Sequence, residues 1–305
     1  MKDLVLQDDL DESIQAFRDK FRRKISSKNL TEVYNTDQTG VQLEMISKRT
    51  LEVEGAKKVT AAAQKPDSIT HSFTAQPVIS AAGELLLPVF VTFHEPKVLL
   101  CFDEQMQRFR YIKAASSKSE KMSSHLAKEW LKEFKLQTPQ KCDLLVDSWN
   151  GYTQAFSTET DITLHILPPK STSVLQPLDV FFNRQFKAFY RILSDKIRRR
   201  YPHFKVSNRN GIGTLLQLYY CQMASKEFSN MIRYAWYKAG LIETCPPPFL
   251  TPVQYCFDLL TPSSHCGIDK CEHRAFIACA NCEKYICFDH FVVDLHDCVD
   301  FLEEK

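Results

Sequence analysis

The chain has no run of about 18 apolar residues, so no segment reads as a transmembrane helix and no membrane partner is expected. Its first residues, Met1-Lys-Asp-Leu-Val-Leu-Gln-Asp-Asp9, are acidic and too short in apolar length for a signal peptide. It has no internal repeat and no low-complexity stretch, which excludes a solenoid or a compositionally biased tail. It also lacks a strong charge of either sign. Lys and Arg number 39 against 37 Asp and Glu, a formal net charge of +2, so any nucleic-acid contact must come from local patches. What remains is ordinary for globular protein: 305 residues, 44% hydrophobic and 25% charged, enough for two or three units.

Eleven cysteines are present, and their placement matters more than their number. Cys266, Cys271, Cys279, Cys282, Cys287 and Cys298 crowd the end of the chain together with His265, His273, His290 and His296. That mixture suits zinc better than disulfides and points to a reducing compartment, cytosol or nucleus. The scattered cysteines read as small buried hydrophobes.

Along the chain, residues 9–28 carry Leu10, Ile14, Phe17, Phe21 and Ile25 at helical spacing. Glu32 to Asp37 reads as a strand. Residues 57–94 read as β structure in three runs, 57–63, 69–79 and 85–93, with a Gly-containing turn over Ser80–Glu84. Residues 123–135 read as a helix with an N-cap at Ser123 or Ser124. Cys142 to Asp147 is a continuous apolar run, fit for a buried central strand, and Ile162 to Leu167 is another strand, stopped by Pro168-Pro169. A helix is expected from Pro177 to about Arg200, and another over 212–240 ending at Gly240. Pro246-Pro-Pro-Phe-Leu-Thr-Pro252 reads as a linker. The expected organisation is an N-terminal helical segment (1–30), a mixed α/β domain (31–245), a Pro-rich linker (246–262) and a Cys/His module (263–305).

Three aspartates stand out by context. Asp37 lies in Tyr34-Asn-Thr-Asp-Gln-Thr-Gly40, Asp147 in Asp143-Leu-Leu-Val-Asp-Ser-Trp-Asn150, and Asp179 in Leu175-Gln-Pro-Leu-Asp-Val180. The first two end apolar, β-prone runs and the third opens a helix. Phosphodiester chemistry needs a strong nucleophile and relief of charge on the leaving oxygen, which two divalent ions about 3.5–4 Å apart supply. Mg²⁺ takes few protein carboxylates, so two or three acids from different elements suffice. Taken singly, Asp37 also fits a turn before Gly40, and Asp179 a helix start favoured by the dipole. The three together favour a metal site.

These stretches resemble the catalytic domain of pogo/Tigger/jerky-type transposases in the mariner superfamily, the DDE endonuclease group. Tyr34–Gly40 resembles the first-acid motif, and Arg49-Thr-Leu followed by Glu54-Gly-Ala-Lys-Lys-Val the next strand pair. Leu144-Leu-Val-Asp-Ser-Trp resembles the second-acid strand. Leu167-Pro-Pro-Lys-Ser-Thr-Ser-Val-Leu-Gln-Pro-Leu-Asp179 is the most specific stretch, and the 32 positions from Asp147 to Asp179 fit the branch whose third acid is Asp. The resemblance covers roughly residues 15–240. It implies an RNase H-like mixed sheet flanked by helices, with Asp37, Asp147 and Asp179 holding two Mg²⁺ or Mn²⁺ ions. It also implies strand cleavage followed by attack of a DNA 3′-hydroxyl, in the nucleus, by a homo-oligomer and on DNA rather than a small molecule. Two departures accompany it. Family members usually carry a helix-turn-helix region like that of centromere protein B, for which the 36 residues before Asp37 are too few, and they often have Asn where this chain has Ser148.

Arg191, Lys196, Arg198, Arg199 and Arg200 lie on the helix after Asp179 and are candidates for phosphate contacts near the active site; a solvated helical face is the alternative. Arg22-Arg-Lys24 reads as surface. In the C-terminal module the order is Cys266-x₄-Cys271-x-His273, Cys279-x₂-Cys282, Cys287-x₂-His290 and His296-x-Cys298. Short Cys/His pairs are what tetrahedral zinc needs, and four pairs imply two ions, with alternate pairs sharing one as a cross-brace. The pattern resembles RING-like modules and the cysteine-rich tail of piggyBac-type transposases. His265 is left out, and either Cys266 or His273 remains open as a ligand. The module is expected to bind DNA ends or protein, or to serve as a ubiquitin ligase. The leading function is a transposase-derived DNA endonuclease; the alternative is a domesticated nucleic-acid-binding or adaptor protein whose chemistry is dispensable.

Overall fold

The structure is a computed structural model and describes residues 2–42, 72–95, 102–118, 122–157, 159–205 and 208–297. Helix α1 spans Lys2–Ile25. Strands β1 (Val33–Thr36) and β2 (Thr39–Gln42) follow, then β3 (Ser72–Gln76), β4 (Val78–Ser80) and β5 (Val89–His94). After the short α2 (Phe102–Met106) come β6 (Ile112–Ser117), α3 (Ser124–Gln137) and β7 (Cys142–Val146). Next are α4 (Asn150–Ala155), β8 (Ile162–Ile166) and α5 (Thr172–Leu175). A wide π turn, Leu178–Phe182, leads into α6 (Asn183–Arg200), and α7 (Arg209–Met223) and α8 (Ser229–Lys238) follow. The expected strand over 57–63 and the motif residues 49–59 lie outside the described residues.

The strands form two four-stranded groups, β4-β1-β7-β8 and β2-β3-β5-β6. They are one surface. Thr36 pairs with Val78 on one side of the break and Thr39 with Ala75 on the other, so the antiparallel register runs on unbroken. The interruption falls at Asp37-Gln38 opposite Pro77, a residue without an N–H for the ladder. β7 runs parallel to β1, and β8 parallel to β7. An antiparallel three-strand half followed by two parallel strands is the RNase H-like arrangement, with β6 added parallel to β5 at the far edge.

The pleat sorts side chains between two cores. Val33 and Leu145 face one core with α1, α6, α7 and α8; Tyr34, Leu144 and Val146 face the other, with Trp130 and Phe134 of α3. β7 is buried along its whole length, as its apolar run predicts. The expected N-cap of α3 is Ser123, whose hydroxyl accepts from the Leu126 N–H at 3.3 Å. The helix expected over 212–240 is two helices, because Ser225 caps a tight turn over Lys226–Phe228 that breaks it. Strand β6 was not anticipated: Ile-Lys-Ala-Ala-Ser-Ser has neither an apolar run nor a strong alternation.

Arg22 is not free surface. Arg18 and Arg22 of α1 donate through Nε to the carbonyls of Ala239 (3.1 Å) and Gly240 (2.8 Å), satisfying the end of α8. The Pro-rich stretch 246–262 packs against the fold: Phe249 meets Phe181 and Tyr234, and Cys256 and Phe257 are buried. It leads to the hairpin β9 (Ala275–Ala278) and β10 (Tyr285–Cys287), whose Ile277 and Ile286 belong to the same core as α7.

Candidate active site and metal-binding module

Asp37 and Asp147 stand one residue beyond Thr36 and Val146, the last residues of two adjacent parallel strands. The register Val33↔Asp143, Tyr34↔Leu144, Asn35↔Leu145 puts them at the same level. Alternation carries both toward the helical face that Val33 and Leu145 share. Asp179 approaches that face from the π turn, a wide turn of the kind found at functional sites. Burial pushes Asp37 up to about 7, helped by the charges of Asp179 and Asp147 and opposed by the Gln38 N–H and the Gln176 amide. Burial likewise raises Asp147, against the Trp149 N–H that its carboxylate accepts at 3.2 Å, and Asp179 adds to the rise. The three acids therefore feel one another, although their oxygens do not all come within 4.8 Å as those of a single-ion cage would.

Several polar groups surround these acids that the sequence did not flag. Tyr152, fully buried, takes the Gln76 amide on its hydroxyl at 3.1 Å, and burial raises it well above its ordinary range, with Asp37 and Asp147 adding to that. Asn183 donates to Asp179 at 3.1 Å. Buried oxygens of Gln76, Gln176 and Asn183 have no partner. A cluster of carboxylates that resist joint ionisation, ringed by unsatisfied oxygens, fits a divalent cation of the oxygen-seeking kind. Asp143, four residues before Asp147, is the contrast. At the other end of β7 it is hydrogen-bonded to His165 (2.7 Å), which burial holds below its ordinary pKa, and paired with the Lys28 ammonium (3.2 Å).

In the C-terminal module, ligand atoms of Cys266, Cys271, Cys287 and His290 lie within 4.8 Å of one another, as do those of Cys279, Cys282 and His296. The pairing is alternate, first with third and second with fourth. Two sulfurs on one tetrahedral zinc stand roughly 3.8 Å apart, and a sulfur and a nitrogen roughly 3.6 Å. Here Cys271 and Cys287 are 3.9 Å apart, Cys266 and His290 3.4 Å, and Cys282 and His296 3.5 Å. Contacts to the Cys279 and Cys282 sulfurs push His296 up to about 10. Both groups fit zinc. His273 falls outside the four-residue set; it and Asp289 are exposed, 3.3 Å apart, and make a looser group with Cys287. Cys298 lies outside the described residues.

The second cluster is joined to the α/β fold. Gln222, buried at the end of α7, donates to the Cys279 sulfur at 3.3 Å and accepts the Ala280 N–H at 2.8 Å. Ser225 donates to the Ala280 carbonyl. Asp297 is held by the Tyr111 hydroxyl (2.9 Å) and Arg110 (3.0 Å).

Of the basic residues of α6, Arg184 and Lys187 lie in its first turns near Asp179, while the candidates Arg191, Lys196 and Arg198–Arg200 lie further along the helix. Arg198–Arg200 sit in its last turn, roughly 30 Å along the axis from Asp179. Arg198 and Arg199 share Asp195, and Lys196 stacks on Phe257 at 4.9 Å. Arg191 and Arg200 are exposed.

The family model described as DDE superfamily endonuclease matches residues 80–236, just over half the chain, including Asp147 and Asp179. The chain belongs to the DDE superfamily endonucleases. The chain also matches the Tc5 transposase C-terminal domain over residues 236–298, so the packed Pro-rich stretch and the Cys/His clusters fall in one unit. No curated protein matches the DDE chain. Among solved structures it is similar to the Mos1 mariner paired end complex with Mn (10% identity, 78% of this chain and 63% of that one, TM-score 0.41). It is also similar to the Mos1 strand transfer complex (10%, 75% and 61%, TM-score 0.39) and to the paired end complex with Mg (9%, 75% and 61%, TM-score 0.38). The chain thus spans somewhat less than two thirds of the length of those Mos1 chains.

Proposed function

We propose that this DDE endonuclease is a transposase-derived DNA nuclease and strand transferase of the pogo/Tigger/jerky branch, with Asp37, Asp147 and Asp179 holding two Mg²⁺ or Mn²⁺ ions. The observation that carries the reading is the meeting of three mutually repelling carboxylates from two parallel strand ends and a facing π turn. Two ions in such a site activate a water or a DNA 3′-hydroxyl and stabilise the leaving oxygen. Asp37 and Asp147 supply ligands from rigid strand ends. Asp179, exposed and held by Asn183, closes the site from the helix side. As a ligand, Asp37 would give up the proton that burial favours on it. Duplex DNA running along α6 meets Arg191 and Arg200 at some distance from the cut, on the order of nine base pairs away for Arg200 at about 3.4 Å per pair. The module takes two zinc ions in a RING-like cross-brace, Cys298 completing the set of Cys279, Cys282 and His296. A DNA substrate makes the nucleus the working compartment, and a second copy of the chain the natural partner for paired DNA ends.

The test is Mn²⁺-dependent nicking of plasmid DNA. Wild type is expected to nick, and Asp147→Ala and chelator each to abolish nicking. Folded, zinc-loaded wild type that leaves DNA intact would sink the nuclease reading and favour the adaptor alternative.

A further inference from the structure

One side chain near the acids bonds all three acid-bearing segments and is not itself an acid. Asn35, fully buried in β1, donates from Nδ2 to the Leu145 carbonyl of β7 at 3.1 Å. Its Oδ1 accepts the Leu178 N–H at the start of the π turn, also at 3.1 Å. Asn35 lies two residues before Asp37, Leu145 two before Asp147, and Leu178 immediately before Asp179. One carboxamide thus bonds the backbone of all three acid-bearing segments, counting its own. Gln176 returns the link from the other side, donating to the Thr36 carbonyl at 3.2 Å.

We propose that Asn35 is the positioning residue of this centre, its carboxamide fixing the spacing of Asp37, Asp147 and Asp179 by tying β7 and the π turn to β1. The inference rests on reading the three aspartates as a divalent-metal site. The chemistry singles out asparagine. The position needs one donor and one acceptor on a short planar group, and a carboxamide offers both whatever the pH. A carboxylate keeps the acceptor and loses the donor to Leu145. An aliphatic residue leaves a buried carbonyl and a buried N–H with no partner. Two ions a fixed distance apart tolerate little drift in their ligands, so the effect of loosening the clamp falls on metal binding and turnover.

The experiment compares Mn²⁺ binding by the zinc-loaded wild-type chain, Asn35→Ala, Asp147→Ala and Gln217→Ala, followed by electron paramagnetic resonance, with nicking kinetics beside it. Gln217 is the control. It too is a buried amide joining two elements, through the Tyr111 N–H at 3.0 Å, but at the β6 edge away from the acids. Both amide variants are expected to lower the melting temperature. Asn35→Ala alone is expected to weaken Mn²⁺ binding about tenfold or more, the usual effect of removing a group that orients metal ligands, and to lower kcat at saturating Mn²⁺ with the KM for DNA unchanged. Mn²⁺ affinity within about twofold of wild type in a folded Asn35→Ala overturns the proposal. Wild type and Asp147→Ala binding Mn²⁺ equally overturns the metal-site reading itself, and the clamp with it. If Asn35→Ala does not fold, Asn35→Ser, whose hydroxyl meets one partner but cannot span both, is measured against the same criteria.

Discussion

At the scale of the residue, the raised Asp37 has a consequence for stability as well as for metal. Its carboxyl holds a proton up to about pH 7 in the metal-free fold, against an ordinary value of 3.8. Between those two pH values the folded state binds the extra proton. Stability contributed by Asp37 is therefore greatest at the acid end of that window and is lost as pH rises through 7. Asp37→Asn should raise the stability of the metal-free protein at pH 8 by about 1–3 kcal/mol, read by thermal melting, while removing the Mn²⁺ response. A destabilised Asp37→Asn would mean that burial and the neighbouring carboxylates do not together disfavour the Asp37 charge. Metal must also displace that proton, so half-saturating Mn²⁺ is expected to climb as pH falls below 7, by up to about tenfold per unit. A flat metal dependence from pH 7.5 to 5.5 would argue against Asp37 as a ligand.

At the scale of the element, the C-terminal module and α7 behave as one piece. Gln222 gives its amide to Cys279 from inside the endonuclease core. Chelating zinc should accordingly lower the melting temperature of the endonuclease fold itself, where a freely hung zinc finger would melt alone. Gln222→Ala is expected to speed zinc release to a chromogenic chelator about tenfold from one of two sites, leaving the other unchanged. Equal release from both sites would detach Gln222 from the Cys279 cluster. Much of this scale was legible in the chain: the apolar run ending at Asp147, the Pro168-Pro169 stop, and the alternate Cys/His pairs whose side chains the fold brings together. What was not legible has physical reasons. β6 is held by pairing with β5 rather than by its own pattern. Residues 226–228 turn tightly because of a single Ser225 cap within an otherwise helical stretch. Cys266 and His273 have equally plausible spacings, and only the backbone path of the hairpin separates them. Asn35 lies inside the first-acid stretch, but its role there was not legible, since its two partners are backbone atoms 110 and 143 positions away.

At the scale of the whole molecule, positive charge extends along α6 from Arg184 near Asp179 to Arg200 in its last turn. Replacing Arg191 and Arg200 with Ala should reduce the slope of log affinity against log salt by about 2 for a long duplex, and by nothing for a duplex too short to leave the acid site. Equal effects on both lengths would put those arginines beside the cut. The same extended view bears on how such chains are assembled. The boundary between the two family units falls near residue 236, within the helix whose end Arg18 and Arg22 cap, and the zinc cluster beyond it takes a hydrogen bond from residue 222. A genetic exchange that swapped the Cys/His tail at that boundary would strand Gln222 opposite a stranger and leave two arginines without their carbonyls. The tail is inherited with the last turn of α7 and with the first helix of the chain, or it arrives without its footing.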